Sequence, residues 1–206
     1  MVENINIILI LLAGFVAMAS PGPATLAIAG ASMTSGRRQG LAMASGVTTG
    51  SILWSMAAAF GLGAIMTSNA WMFEILRYAG AAYLIYLALK SALSAMKSEK
   101  AIDKTIVTSK GAYSKGLALH LTNPKAVLFF GSLYAIGIPF EVSITGLIVV
   151  VLALGLLAFV VFHSYAVLFS SPPLVIAYKK LRRAFEGIFA LMFGIAGFKV
   201  LTSRLG

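Results

Sequence analysis

Few residues in this sequence can do chemistry in an apolar setting, and they fall in a small number of places. There is no cysteine, so thiol nucleophiles, disulfides and cysteinyl metal sites are all excluded. The acids are Glu3, Glu74, Glu99, Asp103, Glu141 and Glu186, and all of them fall near the ends of apolar runs. An enzyme would want paired carboxylates or clustered histidines, and export of a divalent metal would want soft or imidazole ligands in number. With two histidines and scattered acids, no catalytic residue, metal ligand or cofactor is expected. Lys125 is different, because it lies inside an apolar run, where an unpaired ammonium costs about 2.5–3.5 kcal/mol. Either it snorkels to the head groups, or it faces a wet cavity or caps open carbonyls. His120 and His163 join Lys125 as the groups able to change charge, hence as candidates for carrying a proton. A lone histidine in a helix bundle is equally a hydrogen-bonded packing residue. Five positions separate His120 from Lys125, so the two need not share a helical face.

Two proline motifs also bear on chemistry, Pro21-Gly22-Pro23 and Asn123-Pro124-Lys125. Proline removes a backbone donor and clashes with the carbonyl a turn earlier, and the glycine of the first motif offers no resistance to bending. Each motif therefore predicts a break or sharp kink in its helix. A break leaves N–H and C=O groups unpaired, which hydrocarbon does not tolerate unless they face protein, water or a polar solute.

The elements that must position these residues follow from composition. The chain has 206 residues, 60% hydrophobic and 11% charged, with a formal net charge of +10. Its mean hydropathy is +0.95. Soluble domains carry about 45–50% apolar and about 25% charged residues, so a water-soluble globular domain is excluded. Basic charge could signal nucleic acid, but here it sits between apolar runs, which points to lipid head groups. At roughly 20 residues per crossing, the pattern predicts an all-α, polytopic membrane protein of six helices. They are placed at about 5–33, 41–66, 71–95, 116–139, 143–168 and 185–205. Residues 1–206 form one transmembrane domain, with one half at about 1–96, a cytoplasmic linker at about 97–115 and the other half at about 116–206. The start of the chain imitates a secretory signal, with Ile5–Val16 apolar and Ala17-Met18-Ala19 small, yet it has Glu3 and no leading Lys or Arg, so a retained helix is expected.

Lys and Arg crowd alternate connections: Arg37 and Arg38 after the first helix, Lys97, Lys100, Lys104, Lys110 and Lys115 after the third, and Lys179, Lys180, Arg182 and Arg183 after the fifth. The positive-inside rule makes these cytoplasmic and puts both termini outside. Three crossings per half give the halves opposite topology, a 3+3 inverted repeat. The breaks then lie about 18 Å and about 12 Å in from the cytoplasmic end of their helices. Matched interruptions in inverted halves point to a transporter's central binding site. Half-helix N-termini would suit a carboxylate and open carbonyls an ammonium, which are the two charged groups of a free amino acid. Gly40, Gly46 and Gly50, with Gly194 in the last helix, supply small-residue surfaces for close helix packing and permit a homodimer.

Four segments resemble the lysine-exporter type (LysE/RhtB, homoserine/threonine resistance) of amino-acid efflux proteins. They are Pro21-Gly22-Pro23, Ser35-Gly-Arg-Arg-Gln-Gly40 running into Gly46-x-x-x-Gly50, Arg77-Tyr-Ala-Gly-Ala-Ala-Tyr-Leu-Ile-Tyr86, and Leu121-Thr-Asn-Pro-Lys-Ala126. The resemblance covers nearly the whole chain, in order. It implies a six-helix protein of the bacterial inner membrane that exports amino acids or close derivatives, coupled to the proton gradient. Its central motifs fall on Pro21, Gly22, Pro23, Asn123, Pro124 and Lys125, and its third signature on Gly80, Tyr83 and Tyr86, so these motif residues and both tyrosines are expected to line the substrate pathway, the alternative for the tyrosines being anchorage at the membrane interface. Many members carry an acid directly after the second-helix glycine, where this chain has Ser51. A cationic cargo would prefer that counter-charge, so neutral amino acids are expected.

Overall fold

The computed structural model describes residues 5–68, 70–96, 111–139 and 142–202. The described residues form eight α-helices and no strand: α1 Ile7–Ala19, α2 Pro23–Ser35, α3 Arg37–Ser68, α4 Ala70–Met96, α5 Ala112–Leu121, α6 Pro124–Gly137, α7 Ile144–Phe169 and α8 Pro172–Thr202. Most of the expected linker, 97–110, lies outside the described residues, and its end is already helix from Ala112.

Two expected helices are each divided. α1 starts at Asn6, whose side chain accepts from the Leu9 N–H at 3.0 Å, and it stops at Ser20 because the residue before a proline is pushed out of the helical region. Pro23 then opens α2 at the first helical position, where its missing N–H costs nothing. The two axes are bent by 53°. In the same way α5 ends at Leu121, and Pro124 opens α6 behind Asn123, whose side chain accepts from the Lys125 N–H at 3.0 Å. Gly36 closes α2 at φ 83°, a left-handed turn that favours glycine.

The last helix corrects the expected boundary. It starts at Pro172 rather than near 185, because the Ser171 carbonyl accepts from Leu174 and Val175 and two prolines are tolerated in a first turn. Lys180, Arg182 and Arg183 therefore stand on helix and not in a loop, as do Arg37 and Arg38 at the start of α3.

α3, α4 and α7 are long and apolar enough to cross a bilayer, and the bent α1–α2 pair adds a fourth such span if counted as one. Ile148, Leu152, Leu156, Phe60, Leu89, Leu191, Ile195 and Phe198 are exposed on the outer surface, which suits lipid and would not suit water. With that surface and those spans, this is a multi-pass membrane protein. Inside, α3 packs on α5 and α7, α2 on α3 and α7, α4 on α6 and α8. The α3–α5 contact is backbone to backbone: a methyl on Gly46 would overlap the Tyr113 carbonyl, and one on Gly116 the Met43 carbonyl. Gly40 similarly faces Ser32, Gly50 faces His120 and Gly80 faces Ser132, each with no room for a Cβ, whereas a Cβ on Gly194 would sit 3.9 Å from that of Ala88, an ordinary contact.

Candidate functional site

The two breaks meet. Across 105 residues of sequence, Lys125 Nζ donates to the Ser20 carbonyl at 3.1 Å and also contacts Ser20 Oγ. Lys125 neither snorkels to the surface nor stands unpaired. It caps the broken end of α1, where the last carbonyls lack intrahelical partners and the helix dipole is negative. The neighbouring carbonyls of that end are satisfied too. Ser20 Oγ donates to Ala17 O at 3.0 Å, and Tyr165 OH, from α7, donates to Ala19 O at 2.6 Å. A Cβ on Gly22 would lie 3.3 Å from both Cδ and Nζ of Lys125, so the glycine lets the lysine lie close along the break.

On the facing side, Gly22 N–H donates to Thr25 Oγ1 at 2.9 Å, which sets the first turn of α2. That turn leaves the N–H groups of Ala24 and Thr25 beyond the reach of an intrahelical carbonyl. Asn123 is buried and fixes the start of α6, while Tyr83 OH reaches the Lys125 carbonyl at 3.4 Å from α4. The floor is a polar pair, Ser51 Oγ and His120 Nε2 at 3.0 Å, and Trp54 Nε1 donates to the His120 carbonyl at 3.3 Å. His120 is 5% exposed, and its Nδ1 has no hydrogen-bond partner among the described residues. Phe162 meets the imidazole edge-on with centroids 6.0 Å apart.

These groups surround a cavity of about 30 Å³ whose polar lining is Ser20, Thr25, Ser51, His120, Asn123 and Lys125, with Phe129, Phe130, Phe162 and Met18 on the apolar side. The cavity is half open rather than sealed. The N-terminal ends of α2 and α6 and the C-terminal end of α1 all border it, so partial positive and partial negative charge stand a few ångströms apart. By charge, that pairing of helix ends matches the two poles of a zwitterion. Among the described residues no three of His, Asp and Glu gather as a metal site.

Other sequence-designated residues lie elsewhere. Pro21, Pro23 and Pro124 shape the breaks, and Tyr83 stands beside the site. Tyr86 points outward, 54% exposed, stacked on Tyr83 and lying under Lys90. His163 is held away from the cavity, between Ser45 Oγ at 3.1 Å and the Phe159 carbonyl at 2.9 Å. Glu186, expected near a water interface, is instead buried at 3% exposure between α4 and α8. There it accepts from Ser94 Oγ at 2.8 Å, and Ser94 in turn accepts from Arg182 at 3.1 Å. Sequence reasoning missed Ser20 and Thr25. Their only signal is position, one residue before and two after the Pro-Gly-Pro motif.

The profile described as LysE type translocator matches residues 15–204. The threonine efflux protein of Escherichia coli (strain K12) is 27% identical over 196 residues, which cover 92% of this chain and 94% of that protein. The threonine efflux protein of Salmonella typhimurium is also 27% identical, over 195 residues, with the same coverage. The leucine efflux protein of Salmonella choleraesuis is 32% identical over 178 residues, 84% of each chain. No solved structure gives a significant match. The family match takes in both helix breaks, and the chain belongs to the LysE type translocator family.

Proposed function

We propose that this protein is a secondary transporter that exports neutral amino acids of the size of threonine or leucine across the bacterial inner membrane, driven by inward proton movement. The observation that carries the reading is the meeting of two helix breaks at one cavity, bridged by Lys125 on Ser20. The named activities of the relatives, threonine and leucine efflux, support this cargo class. Ser51 stands in the cavity wall where a cationic cargo would favour an acid, which favours neutral substrates. In this reading the α2 and α6 N-termini take the carboxylate, and the end of α1 takes the ammonium.

The same reading makes six crossings of the eight helices: α1–α2, α3, α4, α5–α6, α7 and α8. The two broken pairs open inverted halves, the basic residues lie on the cytoplasmic side and both termini lie outside. The substrate pathway is assigned to Pro21, Gly22, Pro23, Asn123, Pro124, Lys125 and Tyr83. Radiolabelled threonine and leucine loaded into cells or vesicles should leave faster with the protein than without it, and collapsing the proton gradient should stop that gain. Lys125→Ala should abolish net efflux while the protein still reaches the membrane fraction. Wild-type efflux by that variant would refute the assignment.

A further inference from the structure

Lys125 presents a primary ammonium to a backbone carbonyl and a serine hydroxyl at a helix end. An amino acid's own α-ammonium would seek the same partners. The Ser20 carbonyl and hydroxyl that hold the lysine head do not receive a second ammonium in the same place. We propose that the Lys125 ammonium occupies the subsite of the substrate's α-ammonium, so that a proton on Lys125 and a bound amino acid exclude one another at Ser20. This rests on the export reading and adds to it the atom through which proton and cargo are exchanged.

The exchange balances. An amino acid entering from the cytoplasm lays its –NH3+ on the Ser20 carbonyl and displaces Lys125. Deprived of that cap beside Phe129 and Phe130, the ammonium gives its proton to cavity water, the proton leaves to the cytoplasm, and Lys125 remains as a neutral amine. When the amino acid has left to the outside, the amine takes a proton from water on that side and returns to Ser20. One proton moves inward for each zwitterion moved outward, which is the direction an exporter needs. The charged and titratable groups of neighbouring elements that act on Lys125 electrostatically are Lys90 on α4, Glu186 on α8 and His120 on α5, while Tyr83 on α4 reaches its carbonyl and Tyr165 on α7 holds the adjacent Ala19 carbonyl. Lys125 is the group on the Ser20 carbonyl.

The test is binding of threonine and of leucine to the purified protein by calorimetry over a pH series, together with transport in proteoliposomes. Wild-type affinity should rise with pH, by up to about tenfold per unit for one competing proton. Lys125→Met, or Lys125→Gln if the first variant does not purify as a folded species, should bind with no pH dependence. It should also support amino-acid counterflow while losing efflux driven by a proton gradient. Lys125→Arg carries a charge that is not released, and should lose binding at least tenfold at every pH. Wild-type binding that is flat with pH, an arginine variant that binds normally, or a methionine variant that does not bind would each overturn the proposal. If wild-type protein still exports under a gradient in the first of these cases, the export reading stands without it. If wild-type protein neither binds nor moves either amino acid, both fall.

Discussion

Gly46 and Gly187 are both helical glycines, and their surroundings set their consequences apart. A Cβ on Gly46 would overlap the Tyr113 carbonyl and approach Leu117 N to 2.8 Å, and backbone cannot swing aside as a side chain can. Gly46→Ala should therefore force α3 and α5 apart and cost about 1–3 kcal/mol, read as a lower midpoint of thermal unfolding in detergent. A Cβ on Gly187 meets nothing within 4 Å. Gly187→Ala should leave the midpoint unchanged or raise it, since alanine is the better helix former by about 0.5–1 kcal/mol. At this scale the sequence was informative about residue type and silent about direction. Lys125 stood out because it was a cation within apolar residues, but its partner Ser20 was one of many serines. No periodicity says that two chain positions 105 residues apart will touch. His163 and His120 were indistinguishable as sequence, and only the packing of α3 against α5 and α7 puts one in the cavity wall and the other against Ser45.

The helices were legible wherever a local rule governs them. α4 and α7 fall within a residue of their expected bounds because their apolar runs end in polar or turn-forming residues. The breaks were legible because proline acts through its own backbone and needs no tertiary contact. α8 was not. Its first turns carry Lys180, Arg182 and Arg183, whose charge reads as a connection, yet α4 packs along it and buries Glu186 behind Ser94 and Arg182. Tertiary packing there overrides the charge pattern. The importance of the breaks can be tested at the level of the element. Replacing Pro21-Gly22-Pro23 by three alanines restores the missing N–H donors and removes the clash with the preceding turn, so α1 and α2 should run on as one helix and the Ser20 carbonyl should close on that helix instead of Lys125. Net amino-acid efflux should fall to the level of vesicles without the protein, with the same amount of protein in the membrane. Retained efflux would show that the interruption is only a bend.

The arrangement of the whole molecule turns on the sidedness of its basic residues. In the proposed orientation, with Arg37, Arg38, Lys180, Arg182 and Arg183 cytoplasmic, both ends of the chain would face outward, and the two broken pairs would enter the bilayer from opposite sides. A C-terminal alkaline phosphatase fusion should be active and a C-terminal green fluorescent fusion dark. The reverse pattern would overturn the assigned orientation, although the cavity and its bridge would stand. Composition makes the membrane class plain and charge gives an orientation to test, but the close contact of α3 with α5 depends on glycines whose facing partners only the fold reveals. The filled state of the broken end of α1 matters for idle protein as well as for cargo. The carbonyls of Ala17, Ala19 and Ser20 each already accept a side-chain hydrogen bond. At those three positions a resting copy has no bare oxygen with which to strip a passing ion of its hydration.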